Sequence, residues 1–372
     1  MTTYFCKPDE IEKNALEQLR LFEDKGIDGI SVFPDIHYCA EKNLPVGISF
    51  IMKDKFFPLI TGKDLGCGVM YLKIKKEDYI KNFDKKVHYR AFDKFSYSMT
   101  DDGLGGGNHF LSLEEGDDDC MYIICHTGSR NLGIALYHKF AKMIDDFNHK
   151  ESIDDSFLPV DILTEELVKY YYSVLDFATN RRKDFVMNTM MFLQQNGYVK
   201  SDTKNIKLVR TNFKDWDTVG MLNGTQYAIQ DSIHNHLRFG EAVVHRKGST
   251  ELVRGKEVVI PLSMTRGSLI VKPGYDTESL NTSNWSCSHG AGRALSRTDA
   301  MKHWRSGMKE SERKVYKNNF FELLDRSNEF PKGYVQEFDF AYKPSEDILR
   351  NQPYLIKVAS TRPIMTVKFT EI

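Results

Sequence analysis

The chain has 372 residues, of which 41% are hydrophobic and 28% are charged, and its formal net charge is −1. This composition is ordinary for a globular protein, and it excludes a protein that holds nucleic acid through a uniformly basic surface. Any nucleic-acid partner would have to be held in a local basic groove. No linker rich in Pro, Gly or Ser divides the chain, so we expect one large domain.

The N-terminal residues 1–14 lack the charged and then apolar pattern of a signal peptide, and no apolar run is long enough to span a membrane. The six cysteines form neither a CxxC pair nor a dense framework. In a chain of this size, that distribution indicates free thiols in a reducing compartment and excludes a zinc finger. We therefore expect a cytoplasmic protein.

The first predicted element is an amphipathic helix over residues 9–24, where apolar side chains recur at helical spacing. Residues 44–75 are predicted to be rich in β-strands. The apolar run 120–125 is predicted to be a strand that ends at His126. A histidine at a strand end lies where loops carry functional groups on a rigid scaffold.

Long helices are predicted over residues 161–198, and a helical stretch is predicted around His234 and Asn235. A charged, helical and mostly solvated region is predicted from 296 to 328. Short strands are predicted in three places, residues 242–245, 257–262 and 268–272. The pattern therefore predicts a mixed arrangement of strands and helices, without the regular alternation of a Rossmann sheet or a barrel.

Six short motifs combine a metal ligand or a nucleophile with glycine or a phosphate-binding side chain. They are DLGCG (64–68), GGGNHF (105–110), HTGSR (126–130), HN (234–235), HRKG (245–248) and SHGAGR (288–293). Glycine lets the backbone approach a ligand closely, and thiolate, imidazole and carboxylate suit a soft-to-borderline divalent metal. The repetition of this chemistry on distant loops predicts one composite site.

The first two motifs contain candidate metal ligands. Asp64 and Cys67 lie three residues apart in a glycine-rich turn. A thiolate can bridge two metal ions, and the carboxylate can complete the same coordination sphere. The alternative is an Asx turn beside a cysteine that only packs. Asn108 and His109 follow three glycines, where the backbone either folds around a metal or an anion, or His109 merely caps a turn.

The central motifs add imidazoles and cations. His126 and Arg130 share one loop that suits a phosphate, although a strand-end turn with a surface arginine has the same pattern. His234 and its neighbour His236 compete as metal ligands, and solvent exposure is the default for either. Arg246 concentrates positive charge together with the lysine that follows it, which suits phosphate contact but is also common on solvated surfaces.

The last motif contains a candidate nucleophile. His289 stands between small residues, with Arg293 four positions further on. Small neighbours leave room for a bulky adduct on the imidazole, and histidine can be a covalent nucleophile. A packed histidine beside glycines is the alternative.

Together the motifs supply one carboxylate, one thiolate, several imidazoles, a spare histidine and cations suited to phosphate. This set predicts a metal-assisted phosphoryl or nucleotidyl transfer enzyme. The donor atoms are compatible with Mn²⁺ or Zn²⁺, and ligand type does not decide between the two metals.

With PDIH (34–37), ATNRR (178–182) and AYK (341–343), the ordered motifs resemble the RtcB family of RNA-splicing ligases over roughly residues 30–370. The resemblance implies the family's own α+β fold, with residues 1–372 forming one RtcB-like catalytic domain. It implies a ligase that joins RNA ends carrying a 2′,3′-cyclic phosphate or 3′-phosphate to 5′-hydroxyl ends, in RNA repair or tRNA splicing. The implied cofactors are GTP and two Mn²⁺ ions, used through a guanylyl–histidine intermediate and a 3′ end activated with GMP. The implied partners are broken tRNA or rRNA and an archease-type activator.

The resemblance also implies roles for individual residues, with His289 as the guanylylated nucleophile. The implied ligands of the two-manganese centre, with Cys67 bridging, are Asp64, Cys67, His109, His126 and His234. The implied guanylate site, with Arg293 facing phosphate and the last two residues near the base, consists of Asn108, Asn235, Ser263, Met264, Ser268, Gly290, Ala291, Gly292, Arg293, Tyr342 and Lys368. The implied RNA or phosphate contacts are Arg130, Arg181, Arg246 and Lys247.

The chain also departs from the family pattern. Ser112 stands where the family usually has an acidic residue that contacts guanine, and Leu262 and Thr265 replace glycines. Unless Glu114 or Glu115 supplies the missing carboxylate, we expect a weaker preference for GTP over ATP, with GTP still ahead. These departures are compatible with a shorter, divergent branch concerned with RNA repair.

Two other functions stay open at this point. A manganese-dependent RNA cyclic phosphodiesterase or phosphatase without ligation would need the metal ligands but neither His289 nor a guanylate pocket. A non-catalytic RNA-binding module would need none of them. The presence of all five ligand positions together with His289 favours the ligase.

Overall fold

The computed structural model describes residues 1–23, 25, 27–39, 44–79, 82–84, 103–200, 219–222, 225–320 and 332–368. The α-helices of this part of the chain are α1 (Lys13–Glu23), α2 (Asn131–Glu151), α3 (Glu165–Gln195), α4 (Thr277–Thr282), α5 (Arg297–Lys302), α6 (Glu310–Phe320), α7 (Lys332–Val335) and α8 (Glu346–Asn351). No helix of these residues is both long enough and apolar enough to cross a membrane.

The first half of the chain contains the strands β1 (Thr2–Tyr4), β2 (Asp28–His37), β3 (Val46–Met52), β4 (Lys55–Phe56), β5 (Gly68–Lys75), β6 (Phe110–Gly116), β7 (Cys120–Thr127) and β8 (Leu158–Pro159). The second half contains β9 (Val219–Leu222), β10 (Thr225–Ile233), β11 (Asn235–Arg238), β12 (Val243–Lys247), β13 (Ser249–Glu251), β14 (Val258–Ser263), β15 (Gly267–Pro273), β16 (Ser286–Ser288) and β17 (Leu355–Val367).

Two sheets dominate the described residues. One has five strands in the order β1-β2-β3-β12-β11, and the other has eight in the order β14-β15-β17-β6-β7-β5-β10-β9. Two small pairs, β13-β16 and β4-β8, accompany them. Helices and sheets are mixed without regular alternation, so the predicted α+β class is confirmed.

The eight-stranded sheet brings together strand ends that are far apart in the sequence. β5 and β6 begin at the edge where β7 and β10 end, because neighbouring strands here are antiparallel. In the register, His126 lies opposite both Val69 and Phe110, and Gly68 lies opposite Ile233. Residues that directly precede β5 and β6, or that end β7 and follow β10, therefore meet at one edge.

The two large sheets are joined at the same place. β10 belongs to the eight-stranded sheet and β11 to the five-stranded sheet, and only His234 separates them. The backbone N–H of His234 donates to the carbonyl of Cys67 (3.0 Å), and its carbonyl accepts from Ser249 N–H (3.1 Å). His234 is therefore fixed at the junction of the sheets.

Helix α3 supports both sheets. Its first half contributes Leu167 and Tyr171 to a core shared with α1, α2, β2 and β3. Its second half contributes Phe185 and Met190 to the core beneath the eight-stranded sheet. Its N-terminus is capped by Thr164, whose side chain accepts from Leu167 N–H, and neither Gly nor Pro interrupts it.

Most of the predicted elements are confirmed. The N-terminal helix forms as α1, and the strand before His126 forms as β7. The three later strands form as β12, β14 and β15. The helices predicted over 161–198 are one continuous helix, α3, and the charged region forms α5 and α6, although residues 321–331 lie outside the described part.

Two local predictions are wrong. The stretch around His234 and Asn235 is not helical, because its backbone pairs with β5 on one side and with β12 on the other. Tertiary strand pairing overrides the local pattern there. In the β-rich segment, residues Pro58–Thr61 form a 3₁₀ turn rather than a strand, since Pro58 begins the turn and cannot donate to a sheet.

Candidate active site and metal centre

A cavity of about 780 Å³ is lined by residues from both large sheets, and its volume suits a nucleotide-sized ligand. The residues proposed for the site from the sequence that line it are Asp64, Asn108, His126, Arg130, His234, Asn235, Lys247, Ser263, Met264, His289, Gly290, Ala291, Gly292, Arg293, Tyr342 and Lys368. Cys67 and His109 do not line the cavity but lie buried beside it.

The five candidate metal ligands converge at the sheet edge. The Cys67 Sγ lies 3.2 Å from Nε2 of His109 and 3.2 Å from Nε2 of His126. The Nε2 atoms of His126 and His234 are 3.4 Å apart, and Asp64 Oδ1 lies 3.8 Å from His109 Nε2. The donor atoms form two overlapping groups, each within 4.8 Å, and Cys67 belongs to both. The five predicted ligand positions are therefore brought together, with Cys67 common to both groups.

Two histidines of this cluster present lone pairs to a metal. His126 Nδ1 lies 3.1 Å from the Asn108 carbonyl, so it carries the proton that it donates there, and Nε2 presents a lone pair to Cys67 and His234. Burial lowers the pKa of His126 and of His234 well below the ordinary histidine value, so both rings are neutral at pH 7. Burial raises the pKa of the Cys67 thiol well above its ordinary value, so a bound cation would have to displace the thiol proton. The resulting imidazole, thiolate and carboxylate donors fit a divalent cation.

Backbone hydrogen bonds hold these ligands in place. The Cys67 N–H donates to the Asp64 carbonyl (3.1 Å), and the chain beyond His234 returns to the same turn. The side chain of Asn235 donates to the Asp64 carbonyl (3.4 Å) and accepts from Gly248 N–H (2.7 Å). Asn235 therefore connects the DLGCG turn to the HRKG segment.

The candidate nucleophile is fixed by a carboxylate. His289 Nδ1 lies 2.5 Å from Oδ2 of Asp35, and the same oxygen accepts from the N–H groups of His289 (2.9 Å) and Gly290 (3.2 Å). Asp35 is fully buried, and Gly292 allows its close approach, since a Cβ there would lie 2.7 Å from the Asp35 Cα. The ring of His289 lies 4.9 Å from that of His234, centroid to centroid.

Asp35 is a functional residue that the sequence reasoning did not assign. It lies within PDIH, one of the motifs that carried the family resemblance, so the motif was the signal. Its contact with His289 spans 254 residues of sequence, and spacing alone gives no indication of it.

The cavity also contains a cluster of charged and aromatic side chains. The Glu337 carboxylate lies 3.5 Å from Arg293 and 3.6 Å from Lys368 Nζ, and it accepts a hydrogen bond from the Tyr342 hydroxyl. The Arg293 guanidinium also stands 5.0 Å from the centre of the Tyr342 ring. Burial lowers the pKa of Lys368 to about 8. The cluster contains the residues proposed to lie near a bound base.

Among the described residues, the Glu114 carboxylate in the cavity forms no ion pair. Glu114 lines the cavity and accepts hydrogen bonds from the hydroxyls of Ser112 (2.6 Å) and Thr361 (2.5 Å), and burial raises its pKa. Glu115 points to the other face of β6 and pairs with Arg362. Ser112 therefore does not leave the pocket without an acid, because Glu114 supplies a carboxylate two residues along the same strand face.

The candidate phosphate contacts separate into two groups. Arg130 and Lys247 line the cavity, and the buried Nε of Arg130 has no hydrogen-bond partner among the described residues. Arg181 and Arg246 are not brought to the cavity. Arg181 is buried and donates to the Gly103 carbonyl. Arg246 is buried against the carbonyl of Asn284 (3.0 Å) and the hydroxyl of Ser286 (2.9 Å).

The remaining predicted guanylate contacts lie on β14, β15 and the turn between them. Ser263 and Met264 line the cavity, and Ser263 Oγ accepts from the N–H of Arg266. Ser268 is fully buried beside Thr361 and does not line the cavity.

Comparison with known proteins agrees with this geometry. A family model described as tRNA-splicing ligase RtcB matches residues 73–369. The chain belongs to the RtcB family. It is 24% identical to RNA-splicing ligase RtcB2 of Escherichia coli strain ATCC 25922, over 96% of this chain and 93% of the relative. It is 26% identical to RNA-splicing ligase RtcB of Escherichia coli strain K12, over 91% of this chain and 90% of the relative.

A relative from another organism carries the same family name. The chain is 26% identical to tRNA-splicing ligase RtcB of Methanococcus maripaludis, over 71% of this chain and 59% of the relative. The RtcB family model begins after the segment that carries Asp35, Asp64 and Cys67. The alignment with RtcB2 covers 96% of the chain and must therefore include that segment.

Proposed function

We propose that this protein is a GTP- and manganese-dependent RNA ligase that joins 3′-phosphate or 2′,3′-cyclic phosphate ends to 5′-hydroxyl ends, in RNA repair or tRNA splicing. Membership of the RtcB family supports the reaction class. The observation that carries the proposal is the position of His289, held by Asp35 and lying next to the metal-ligand candidate His234 in a nucleotide-sized cavity. The alternative, a cyclic phosphodiesterase without ligation, has no use for such a nucleophile.

His289 is the residue that accepts the nucleotide. Because Nδ1–H donates to Asp35, Nε2 has a free lone pair that can attack the α-phosphorus of GTP. A bond forms between Nε2 and phosphorus, the bond from the α-phosphorus to the bridging oxygen breaks, and pyrophosphate leaves. Asp35 keeps the proton on Nδ1 and stabilises the positive charge that develops on the ring.

Five residues would hold the two manganese ions: Asp64, Cys67, His109, His126 and His234. Bound there, the metal supplies Lewis-acid polarisation of phosphoryl oxygens and neutralises the charge of the phosphates. Manganese follows from the family resemblance, and zinc suits the same donors, so metal analysis of the purified protein distinguishes them.

The base would lie at the end of the cavity that contains Glu114, Tyr342 and Lys368. Guanine presents two adjacent N–H donors, at N1 and N2, which a carboxylate such as Glu114 can accept together. Its O6 can accept from the Lys368 ammonium. Adenine presents an acceptor at N1 instead, and a buried carboxylate facing that atom is penalised. We therefore propose a clear preference for GTP.

The cavity cations would bind the RNA phosphates. Arg130 and Lys247 line it, and Arg130 has a donor without a partner among the described residues. A 2′,3′-cyclic phosphate end would first be hydrolysed by water to the 3′-phosphate. An oxygen of the RNA 3′-phosphate attacks the phosphorus on His289, the P–N bond breaks, and GMP is transferred to the RNA end while the imidazole is regenerated. The 5′-hydroxyl then attacks the activated 3′-phosphate, so that a phosphodiester forms and GMP leaves.

The experiment combines RNA oligonucleotides ending in 3′-phosphate or cyclic phosphate with 5′-hydroxyl acceptors, GTP or ATP, and Mn²⁺, Zn²⁺ or Mg²⁺. We expect a joined product that depends on GTP and Mn²⁺ and resists phosphatase. Accumulation of 2′- or 3′-monoester without joining, and without any need for GTP, would instead identify a phosphodiesterase.

His138→Ala is the matched control for His289→Ala, because His138 is exposed on α2 and does not line the cavity. We propose further that residues 1–372 act as one catalytic unit in the cytoplasm and that an archease-type activator accelerates turnover. Addition of such an activator to multiple-turnover assays tests the last point.

A further inference from the structure

The guanidinium of Arg182, on helix α3, lies directly beneath the metal-ligand cluster. It is fully buried, and each of its five N–H groups has an acceptor. Two donate to the Asp231 carboxylate (2.6 and 2.7 Å), and one donates to the Thr179 hydroxyl (3.2 Å). The other two, both on one terminal nitrogen, donate to the carbonyls of Gly66 (2.7 Å) and Thr127 (2.9 Å).

Apart from Thr179, these acceptors lie close in the chain to candidate metal ligands. Gly66 lies between Asp64 and Cys67, and Thr127 directly follows His126. Asp231 lies three residues before His234 on β10. One side chain thus fixes three segments that carry four of the five candidate ligands.

The packing of α3 supports the same arrangement. Gly66 has a positive φ of 73°, and a Cβ at this position would lie 3.1 Å from the Ala178 Cβ and 3.2 Å from Leu175 Cδ2. The DLGCG turn therefore rests on the helix one turn before Arg182. Thr179 adds a further link, since its hydroxyl donates to Asp231 (2.8 Å) while it accepts from Arg182.

We infer that Arg182 is a positioning residue that holds the metal ligands in their binding geometry before the metal arrives. The inference rests on the proposed metal site and deepens it. The fork of a guanidinium can satisfy Asp231 and two backbone carbonyls at once, whereas a lysine ammonium is a point charge with three donors. Three donors on one nitrogen cannot pair with both oxygens of Asp231 and also reach the carbonyls of Gly66 and Thr127.

The decisive variant is Arg182→Lys, which keeps the charge opposite Asp231 and removes the fork. Changing an outer partner of metal ligands typically weakens metal binding by roughly 10- to 100-fold, and we expect the Kd for Mn²⁺ to rise by that factor. With Co²⁺ as the probe, we expect an altered thiolate charge-transfer band. Unfolding of the metal-free protein in EDTA measures the separate cost to the fold.

Arg313→Lys is the matched control. The Arg313 guanidinium, on α6, has the same kinds of acceptor as Arg182, namely the Glu310 carboxylate (3.1 Å) and the carbonyls of Trp304 and Arg305 (both 3.0 Å), but none of these lies in a segment with a candidate ligand. We expect the Mn²⁺ Kd of this variant to stay within about twofold of wild type, whatever the change in its Tm in EDTA. An unchanged Kd in Arg182→Lys, or an equal rise in Arg313→Lys, would overturn the inference.

If Arg182→Lys does not fold, Thr179→Val provides the second test. It removes one hydroxyl from the network, leaves Arg182 and Asp231 paired, and should raise the Mn²⁺ Kd by about 10-fold, at the low end of the same range. A folded Thr179→Val protein with wild-type affinity would then overturn the inference. Neither GTP nor RNA is present in these titrations, so failure of the proposed ligase activity would be seen separately.

Discussion

At the metal end of the cavity, defined by Asp64, Cys67, His109, His126 and His234, the side chains directly precede, end or follow strands of one sheet, or lie in the turn before one. At the nucleotide end, defined by Glu114, Arg293, Glu337, Tyr342 and Lys368, most residues come from turns and loops, and side chains hold one another. At the first end the backbone itself is held, by strand pairing and by the side chains of Arg182 and Asn235, whereas at the second end the functional side chains hold one another. Substitutions at the metal end should therefore abolish metal binding and activity. Substitutions at the nucleotide end should reduce the preference for GTP over ATP by degrees.

The largest effect is expected for His289, which lies between the two ends. His289→Ala removes the only atom proposed to bond to phosphorus, so no labelled protein should form from radiolabelled GTP and Mn²⁺. The label on the wild type should be acid-labile and alkali-stable, as expected of a phosphoramidate. If His289→Ala still becomes covalently labelled while His138→Ala behaves as wild type, another residue is the nucleophile.

At the metal end, Cys67→Ser tests whether the loss of one ligand abolishes metal binding. A hydroxyl that keeps its proton at neutral pH replaces a thiolate shared by both ligand groups, so metal binding should weaken by more than the roughly 100-fold seen for outer partners. Metal content after gel filtration and titration with Mn²⁺ measure the loss. Two tightly bound ions in this variant would refute both the bridging role and the contrast between the two ends.

Asp35→Asn tests the support of the nucleophile. The amide keeps one oxygen acceptor but has no negative charge, and its NH2 group can donate to Nδ1, so the ring loses its fixed tautomer and its counter-charge. By analogy with other carboxylate–histidine pairs, the rate of guanylylation should fall by roughly 10²- to 10⁴-fold. Single-turnover labelling gives the rate, and unchanged Mn²⁺ affinity confirms that the metal end is intact. A rate within twofold of wild type would exclude the role of Asp35.

At the nucleotide end, Glu114→Gln should change specificity by degrees. Losing one buried acceptor for the guanine edge costs roughly 1–3 kcal/mol, so the preference for GTP over ATP should fall by about 10-fold or more while labelling continues. Ser112→Ala removes only a hydroxyl that donates to Glu114 and should have a smaller effect. If Glu114→Gln leaves the ratio of guanylylation to adenylylation unchanged, the base is read elsewhere.

The smallest expected effect is a pH dependence at Lys368. Its pKa is lowered from 10.5 to about 8 by burial, so the ammonium present at pH 7 is largely lost by pH 9. A charged donor makes a hydrogen bond about twice as strong as a neutral one, so GTP affinity should fall by roughly 3- to 10-fold over that range. Lys368→Arg cannot deprotonate and should remove this decline. If the GTP affinity of the wild type does not change between pH 7 and pH 9, Lys368 does not contact the nucleotide.

The sequence predicted that the five side chains of the metal end lie together, because each belongs to a short motif whose chemistry is local. Cys67 and His126 could be proposed before anything was known of their neighbours. Asp35 and Arg182 could not, since their roles come from contacts across 254 residues and across a helix–sheet interface. The roles of Asp35 and Arg182 depend on the residues that they contact in the fold, and the residue type alone does not indicate these roles.

Alternation along strands explains two further differences. Arg246 and Lys247 are adjacent in the sequence, but β12 sends them to opposite faces, so only Lys247 lines the cavity. Glu114 and Glu115 divide in the same way on β6. A cluster of charges in a sequence predicts that a charge is present, and only the strand register decides which of them reaches the ligand.

His234, the single residue between β10 and β11, couples the metal-ligand cluster to the relative orientation of the two large sheets. Because the neighbours of His234 on each side are hydrogen-bonded into different sheets, rotating one sheet against the other would turn its imidazole away from Cys67 and His126. An ion shared by these three residues would act as a cross-link that resists this rotation. Its contribution would grow with metal concentration as RT ln(1 + [M]/Kd), so occupancy of the centre and rigidity of the whole scaffold would rise together.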